Sequence, residues 1–433
     1  MKTKLILTLC FAVSAFALCA QPLVVHEWGT FTSLQDEAGR TLGGINTDDE
    51  AVPPFCHDLD KFLVVRTEEL PPILFKGAPR CMPEITMRLE TPVIYFHRPA
   101  GATKPLTASI RVAFRGGWLT QYYPGAETGG FARADKLNEG TKGTLAWNDL
   151  QIGGEAKGPE TTERVWTAPR AVEAASVTAR NGESEKFLFY RGIGHLQCPL
   201  QMSRTRSDAL ECRAQAGEAR LNCPPLSIQR LWLASFHPDG GCAFRSLPAI
   251  NLAATAGESS RKALFSTPAG FGGNDFSAGN QTKLRHEMWL ALQEEGLFAD
   301  EADALLNTWE LSYFKSPGLR LFFMVPRAWT DAYLPLEISV PCELKRVMIG
   351  RLELVTPEQR SLLKELAQAP KPAKPWAFYA ARDNKTVLEG VMPPAYRALG
   401  RFRNALLLEE YKVRPAASLE AFIRLNGLQG SGG

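Results

Sequence analysis

Hydrophobic positions in the first half of the chain recur with a period of two. Ile110, Val112 and Phe114 alternate with Ser109, Arg111 and Ala113, as a half-buried strand requires. Val93-Ile94-Tyr95-Phe96 and Phe187-Leu188-Phe189-Tyr190 are short β-branched or aromatic runs. Arg98-Pro99, Gly116-Gly117 and Pro124-Gly125 punctuate them as turns. Many short strands with turn signals between them predict a sandwich or a barrel-like core from about Leu23 to Phe265. Residues 125–185 are richer in Gly, Glu, Lys and Thr and read as hairpin excursions, with strands expected around Trp147 and Trp166.

Beyond a Gly/Ser/Asn-rich stretch over 266–280 the period becomes helical. Leu284, Met288 and Leu292, with Trp289 beside them, predict a helix that ends near Gly296. Asp300-Glu301 opens a second one, with Ala302, Leu305, Leu306 and Trp309 on one face, so a helical hairpin is expected. Residues 319–325 and 347–354 return to strand character. Thr356-Pro357-Glu358-Gln359 is a helix start with an N-cap, an N1 proline and a capping-box glutamine. Pro370 to Pro375 breaks that helix, and two more are expected near 394–412 and 415–426. The fold class is therefore α+β: a β-sandwich-like N-terminal body, then a mixed region with a helical hairpin and C-terminal helices. The expected organisation is a leader over 1–20, a β-rich domain over 21–265, the Gly-rich loop over 266–280, a mixed region over 281–427 and a disordered tail over 428–433.

The leader reading rests on Lys2 and Lys4, the mostly apolar run from Leu5 to Leu18, and small residues near Ala20. Its rival is a lipid anchor on Cys19, which the bulky Leu18 disfavours. No later run of about 18 apolar residues exists, so no transmembrane segment is expected in the mature chain. The whole chain has 433 residues, with Lys+Arg 49 against Asp+Glu 46. Loss of Lys2 and Lys4 leaves 47 against 46, a balance that offers no electrostatic footprint for nucleic acid.

Of nine cysteines, seven lie beyond the leader: Cys56, Cys81, Cys198, Cys212, Cys223, Cys242 and Cys342. In an exported chain these read as disulfides. A Cys56–Cys81 bridge is expected, with two more among Cys198, Cys212, Cys223 and Cys242, and Cys342 left over. The alternative, a zinc–thiolate site, lacks any C-x-x-C pair.

Motif searches exclude several chemistries. There is no G-x-S-x-G elbow, no Walker A loop, and no nucleotide or flavin fingerprint, since Gly192-Ile193-Gly194 and Gly270-Phe271-Gly272 lack a third glycine. His26-Glu27 and His286-Glu287 both start like H-E-x-x-H and lack its second histidine. The first candidate site is the acidic segment from Asn46 to Asp60. Asp48, Asp49, His57, Asp58 and Asp60 are candidate ligands there for a divalent metal, and Asp48 and Asp49 are candidate catalytic carboxylates. The second is His26-Glu27-Trp28, where Glu27 beside an aromatic can serve as an acid. The third is Glu90, before the strand 93–96, with His97 just after it. His195 with Arg191, and His237-Pro238-Asp239, are weaker. Each has an ordinary structural reading: a solvated acidic loop, a partnered core glutamate, or a satisfied histidine. Trp118 with Tyr122 and Tyr123 is the best aromatic cluster for carbohydrate stacking, set against plain core packing.

The strings His26 to Phe31, Glu90 to Phe96, Phe187 to Gly192 and Gly350 to Leu354 together resemble a group of uncharacterised exported bacterial proteins. The resemblance spans most of the mature chain. It implies an envelope or extracellular setting and no transferable activity. The expected function is an exported binding protein for a glycan or an envelope partner protein. The alternative is a secreted hydrolase or lyase acting on polysaccharide or peptide, using carboxylates and possible metal assistance.

Overall fold

The computed structural model describes residues 22–46, 52–59, 81–130, 136–155, 157–214, 227–251, 263–371 and 393–425, with the backbone of four two-residue strands at 74–75, 78–79, 378–379 and 386–387. Its centre is one large mixed sheet of 15 strands. The principal strands are β1 (Leu23–Gln35), β2 (Met87–His97), β3 (Leu106–Arg115), β4 (Gly117–Tyr123), β5 (Lys142–Ile152), β6 (Leu188–Gly194), β7 (Leu231–Phe236), β8 (Cys242–Ser246), β9 (Gly318–Val325) and β10 (Cys342–Leu354). Their spatial order through the centre is β5-β4-β6-β2-β1-β10-β9-β7-β8. β1 lies antiparallel to β2 and parallel to β10 over its whole length, from Leu23↔Cys342 to Gln35↔Leu354. The α+β expectation holds, and the sheet draws strands from both sides of the Gly-rich stretch.

Alternation sends the two faces of this sheet into two cores. Val25, Phe31, Leu321 and Met348 face one, closed by Ile110 and Val112 of β3 and Leu145 and Trp147 of β5, which gives the sandwich-like layer. Trp28, Val93, Phe322 and Val347 face the other. That second face is covered by α1 (Arg164–Arg170), α2 (Ala278–Glu294) and α3 (Ala299–Thr308) through Trp166, Leu284, Met288, Leu292, Ala302, Leu305 and Leu306. α4 (Arg327–Tyr333) packs on the first face, where Trp329 meets Phe31 edge-on. A third core gathers α5 (Pro357–Gln368), α6 (Pro394–Ala398), α7 (Arg403–Val413) and α8 (Ala417–Leu425) around Leu34, Ile45 and Trp118. No helix among the described residues is long and apolar enough to cross a membrane.

Two local devices shape the central strands. Register shifts between Trp28 and Thr30, where Thr91 takes a positive φ of 43° and Pro92 has no N–H to donate. The bulge lets Arg88 and Glu90 before it, and Val93, Tyr95 and His97 after it, share one face. At Gly350 a Cβ would come within 2.1 Å of the Phe323 ring, so only glycine fits between the strands there.

Several sequence expectations are corrected. Trp166 lies in helix α1, not a strand: Val165, Trp166 and Pro169 form its buried face, with Arg164 and Thr167 exposed. The 266–280 stretch is mostly structured. It begins in the strand Phe265–Pro268, passes through a turn of 3₁₀ helix at Gly273–Asp275, and enters α2 at Ala278 with Ser277 as N-cap. The helix expected over 394–412 is split into α6 and α7 at Gly400, which has φ +84°. The helical hairpin and the Thr356–Gln359 capping box form as read. Cys56, Cys198, Cys212, Cys242 and Cys342 carry free thiols, so no Cys56–Cys81 bridge is present in this structure. Cys56 packs on the helix-covered core, whereas Cys81 sits in the third core. Burial pushes the Cys198 and Cys242 thiols up to about 11, which favours the neutral form. Cys223, the leader and the tail over 428–433 lie outside the described residues.

Candidate metal centre

Two of the histidines that the sequence places 71 positions apart meet on one face of the sheet. His26 lies on β1 opposite Tyr95, and His97 ends β2 opposite Val24, so the two are diagonal cross-strand neighbours. Their ring centroids are 5.1 Å apart. The third member arrives from the helical hairpin. Glu301 is at position N3 of α3, where its carboxylate accepts the Phe298 N–H at 2.8 Å and satisfies one of the free donors at the helix start. A helix N-terminus carries partial positive charge, which favours an anion there.

From that position Glu301 reaches both imidazoles. His26 Nδ1 is 2.7 Å from Glu301 Oε2, and His97 Nε2 is 2.9 Å from Oε1. The ligand atoms of the three side chains all lie within 4.8 Å of one another. Burial would raise the Glu301 carboxyl, but the hydrogen bonds from His26 and His97 and from the Phe298 N–H win and hold it below its usual range. Glu301 is 0% exposed, His26 2% and His97 14%, so His97 forms the solvent edge of the cluster. The Phe298 ring lies over both imidazoles, at 4.6 Å from His26 and 4.8 Å from His97. Two imidazole nitrogens and one carboxylate form a ligand set for a borderline divalent ion such as Zn²⁺, and Fe²⁺ accepts the same set. Hard ions such as Ca²⁺ and Mg²⁺ prefer oxygen throughout.

The sequence candidates fall elsewhere. Glu27 points to the opposite face from His26 and is fully buried. Its Oε2 accepts from Arg346 Nε at 2.5 Å, and its Oε1 accepts from the Tyr190 hydroxyl. Arg346 in turn donates to Asp331 Oδ1 at 2.8 Å. Both carboxylate oxygens are thus engaged inside the core, and neither is offered to a substrate. Glu90 is also buried, with Oε1 held by Arg88 at 2.8 Å and Arg401 at 3.0 Å. Asp48, Asp49 and Asp60 lie outside the described residues. His57 and Asp58 form a two-residue strand against Tyr122 and Gln121 of β4. His57 Nε2 is 2.8 Å from Glu183 Oε2, and its ring stacks on Tyr122 at 5.3 Å. His195 Nδ1 bonds the Glu84 carbonyl, and His237 stacks on Phe276 at 3.8 Å. Trp118 is 1% exposed and Tyr123 3%, so both are spent on core packing, and Tyr122 is half-buried under the His57 ring.

Sequence reasoning singled out His26 and His97 in separate segments and read Glu301 only as a helix opener. Its legible signal was an acidic residue in the first turn of a helix; that it also faces two histidines 275 and 204 positions away is set by packing α3 on the sheet. No family model matches the chain, and no curated protein matches it. Among solved structures it is similar to the Fcho1 Mu homology domain of Danio rerio with bound Eps15 peptide. The identity is 8%, the match covers 78% of this chain and 98% of that one, and the TM-score is 0.33, a likeness too slight to carry an argument.

Proposed function

We propose that this chain is an exported binding protein built around a divalent transition-metal site formed by His26, His97 and Glu301. The observation that supports this reading is the convergence of Nδ1, Nε2 and a carboxylate on one point from three separate elements. The two nitrogens that now meet Glu301 are the ones a metal would take, so binding displaces any proton they carry. A glycan or an envelope partner protein is the further ligand expected of such an exported scaffold. One observation favours a second reading, metal-assisted hydrolysis of polysaccharide or peptide. Among the described residues the cluster supplies three ligands, with His97 at its solvent edge, and three-ligand zinc sites keep a position for water.

Elemental analysis of protein recovered from the export route, reconstituted with zinc and then dialysed, tests the assignment. Wild type and His57→Ala should each retain about one equivalent of metal, and His97→Ala should retain none. Metal lost from His57→Ala and kept by His97→Ala would move the site to the acidic segment. No retention by wild type would end the metal reading.

A further inference from the structure

The layer that closes the first core has an outer face, and that face carries a cleft of about 360 Å³. Alternation along β3 and β5 sends Ile110, Val112, Leu145 and Trp147 into the core. Arg111, Ala113 and Arg115 of β3 and Lys142, Thr144 and Ala146 of β5 line the cleft. Longer polar side chains usually stand on a solvated sheet face. Here Ala113, Thr144 and Ala146 make a floor, and their longer neighbours become walls. The cleft opens directly to solvent, since Arg111, Glu127, Lys142 and Glu337 on its walls are all exposed.

Register sorts the wall charges by sign. Glu337 of the strand Leu336–Ile338 is the partner of Arg111, Arg111 of Ala146, and Ala146 of Glu127 in the strand Glu127–Gly129. One row across the sheet therefore holds both carboxylates. Further along β3, Arg115 is the partner of Lys142. At about 3.3 Å per residue the two rows lie about 13 Å apart. All five charged side chains of the lining fall in these rows: Glu127 and Glu337 with Arg111 in one, Arg115 and Lys142 with no carboxylate in the other.

These charges are not spent on one another. Among the described residues Arg111, Glu127, Lys142 and Glu337 form no ion pair, although Arg111 and Glu337 face each other across antiparallel strands, where opposite charges commonly pair. Arg115 Nη1 donates to the Ala332 carbonyl at 3.2 Å, which holds the side chain against its wall without neutralising it. Glu337 stands beside Arg111, whereas Glu127 has only Ala146 between it and the rest of the floor.

We propose that this cleft binds a short peptide of two or three residues, free at both ends. Its α-carboxylate lies between Arg115 and Lys142, and its α-ammonium meets Glu127. An extended tripeptide spans about 10 Å, and the wall side chains reach inward over the remainder. No aromatic side chain lines the cleft, so the ring face on which a sugar stacks is missing, and the separation of opposite charges fits a zwitterion.

The test is isothermal titration of full-length mature protein with trialanine at pH 7 and low salt. Saturable binding with a Kd of about 1 mM or tighter is expected. Trialanine amide and N-acetyl-trialanine, each lacking one terminal charge, should bind about fivefold more weakly. Lys142→Ala and Glu127→Gln should each weaken trialanine binding by about the same factor. Both positions are exposed, so both variants keep the fold. Binding of trigalacturonate in place of trialanine would make the cleft a glycan site and overturn the peptide assignment. Absence of binding by either probe, equal affinity for trialanine and its amide, or undiminished binding in both variants would overturn the site.

Discussion

Glu301→Gln should lower the affinity for Zn²⁺ by on the order of 10²–10³-fold. Structural zinc binding is worth about 10–16 kcal/mol over four ligands, or about 2.5–4 kcal/mol for each one. Glutamine keeps the length and the carbonyl that accepts the Phe298 N–H, so the cap of α3 is preserved. It removes the only negative charge of the cluster. His26→Ala and His97→Ala should fall in the same range, although each also removes a ring packed against Phe298. A competition titration against a chromophoric chelator measures all three. Losses below about tenfold would mean that these residues hold no metal, since even outer partners of a ligand cost about 10–100-fold.

The largest stability effect should come from the opposite face. Glu27→Gln should destabilise the fold by about 3–5 kcal/mol, because it leaves Arg346 buried beside a neutral group. Arg346 keeps Asp331, which is 44% exposed and holds only its outer Nη1, so rescue by Asp331 is partial. The pair joins β1 to β10 at Glu27↔Arg346, where strands 319 positions apart meet in parallel. Parallel strands distant in sequence have no turn to set their register, and a one-residue slip would bring this carboxylate out of reach of its guanidinium. Paired replacement, Glu27→Gln with Arg346→Met, should cost clearly less than the sum of the single changes. Urea unfolding of the four proteins measures the coupling. Additive losses, or a Glu27→Gln cost below about 1 kcal/mol, would show that the pair contributes little.

How much of this was legible in the sequence differs by level. Local patterns carried the α+β class. Alternation in Ile110–Phe114 and the Leu284/Met288/Leu292 spacing depend only on neighbours, and both elements form. Thr356-Pro357-Glu358-Gln359 caps its helix because every contact it needs lies within one turn. Trp166 misled because an aromatic beside a valine suits either a strand or a short helix. The site was half legible. His26 and His97 stood out, yet each was paired in thought with a nearby carboxylate, Glu27 or Glu90. Alternation makes Glu27 impossible as a partner for His26, since adjacent strand residues face opposite sides. Glu90 lies on the same face but is engaged by Arg88 and Arg401. The carboxylate that does meet both histidines comes from a helix more than 200 positions away, and no periodicity records that contact. The outer cleft was equally hidden: Arg111 read as a polar position on its strand, and only the register shows which charges share its row.

The most direct measurement is X-ray absorption at the zinc edge on the reconstituted mature protein. The account predicts a first shell of nitrogen and oxygen at about 2.0–2.1 Å, with the multiple-scattering signature of two imidazoles. Replacing His97 by alanine should remove one of them. A sulfur shell near about 2.3 Å would place the metal on the cysteines. An all-oxygen shell with no imidazole signature would place it on carboxylates elsewhere, and either result would contradict a centre made by His26, His97 and Glu301.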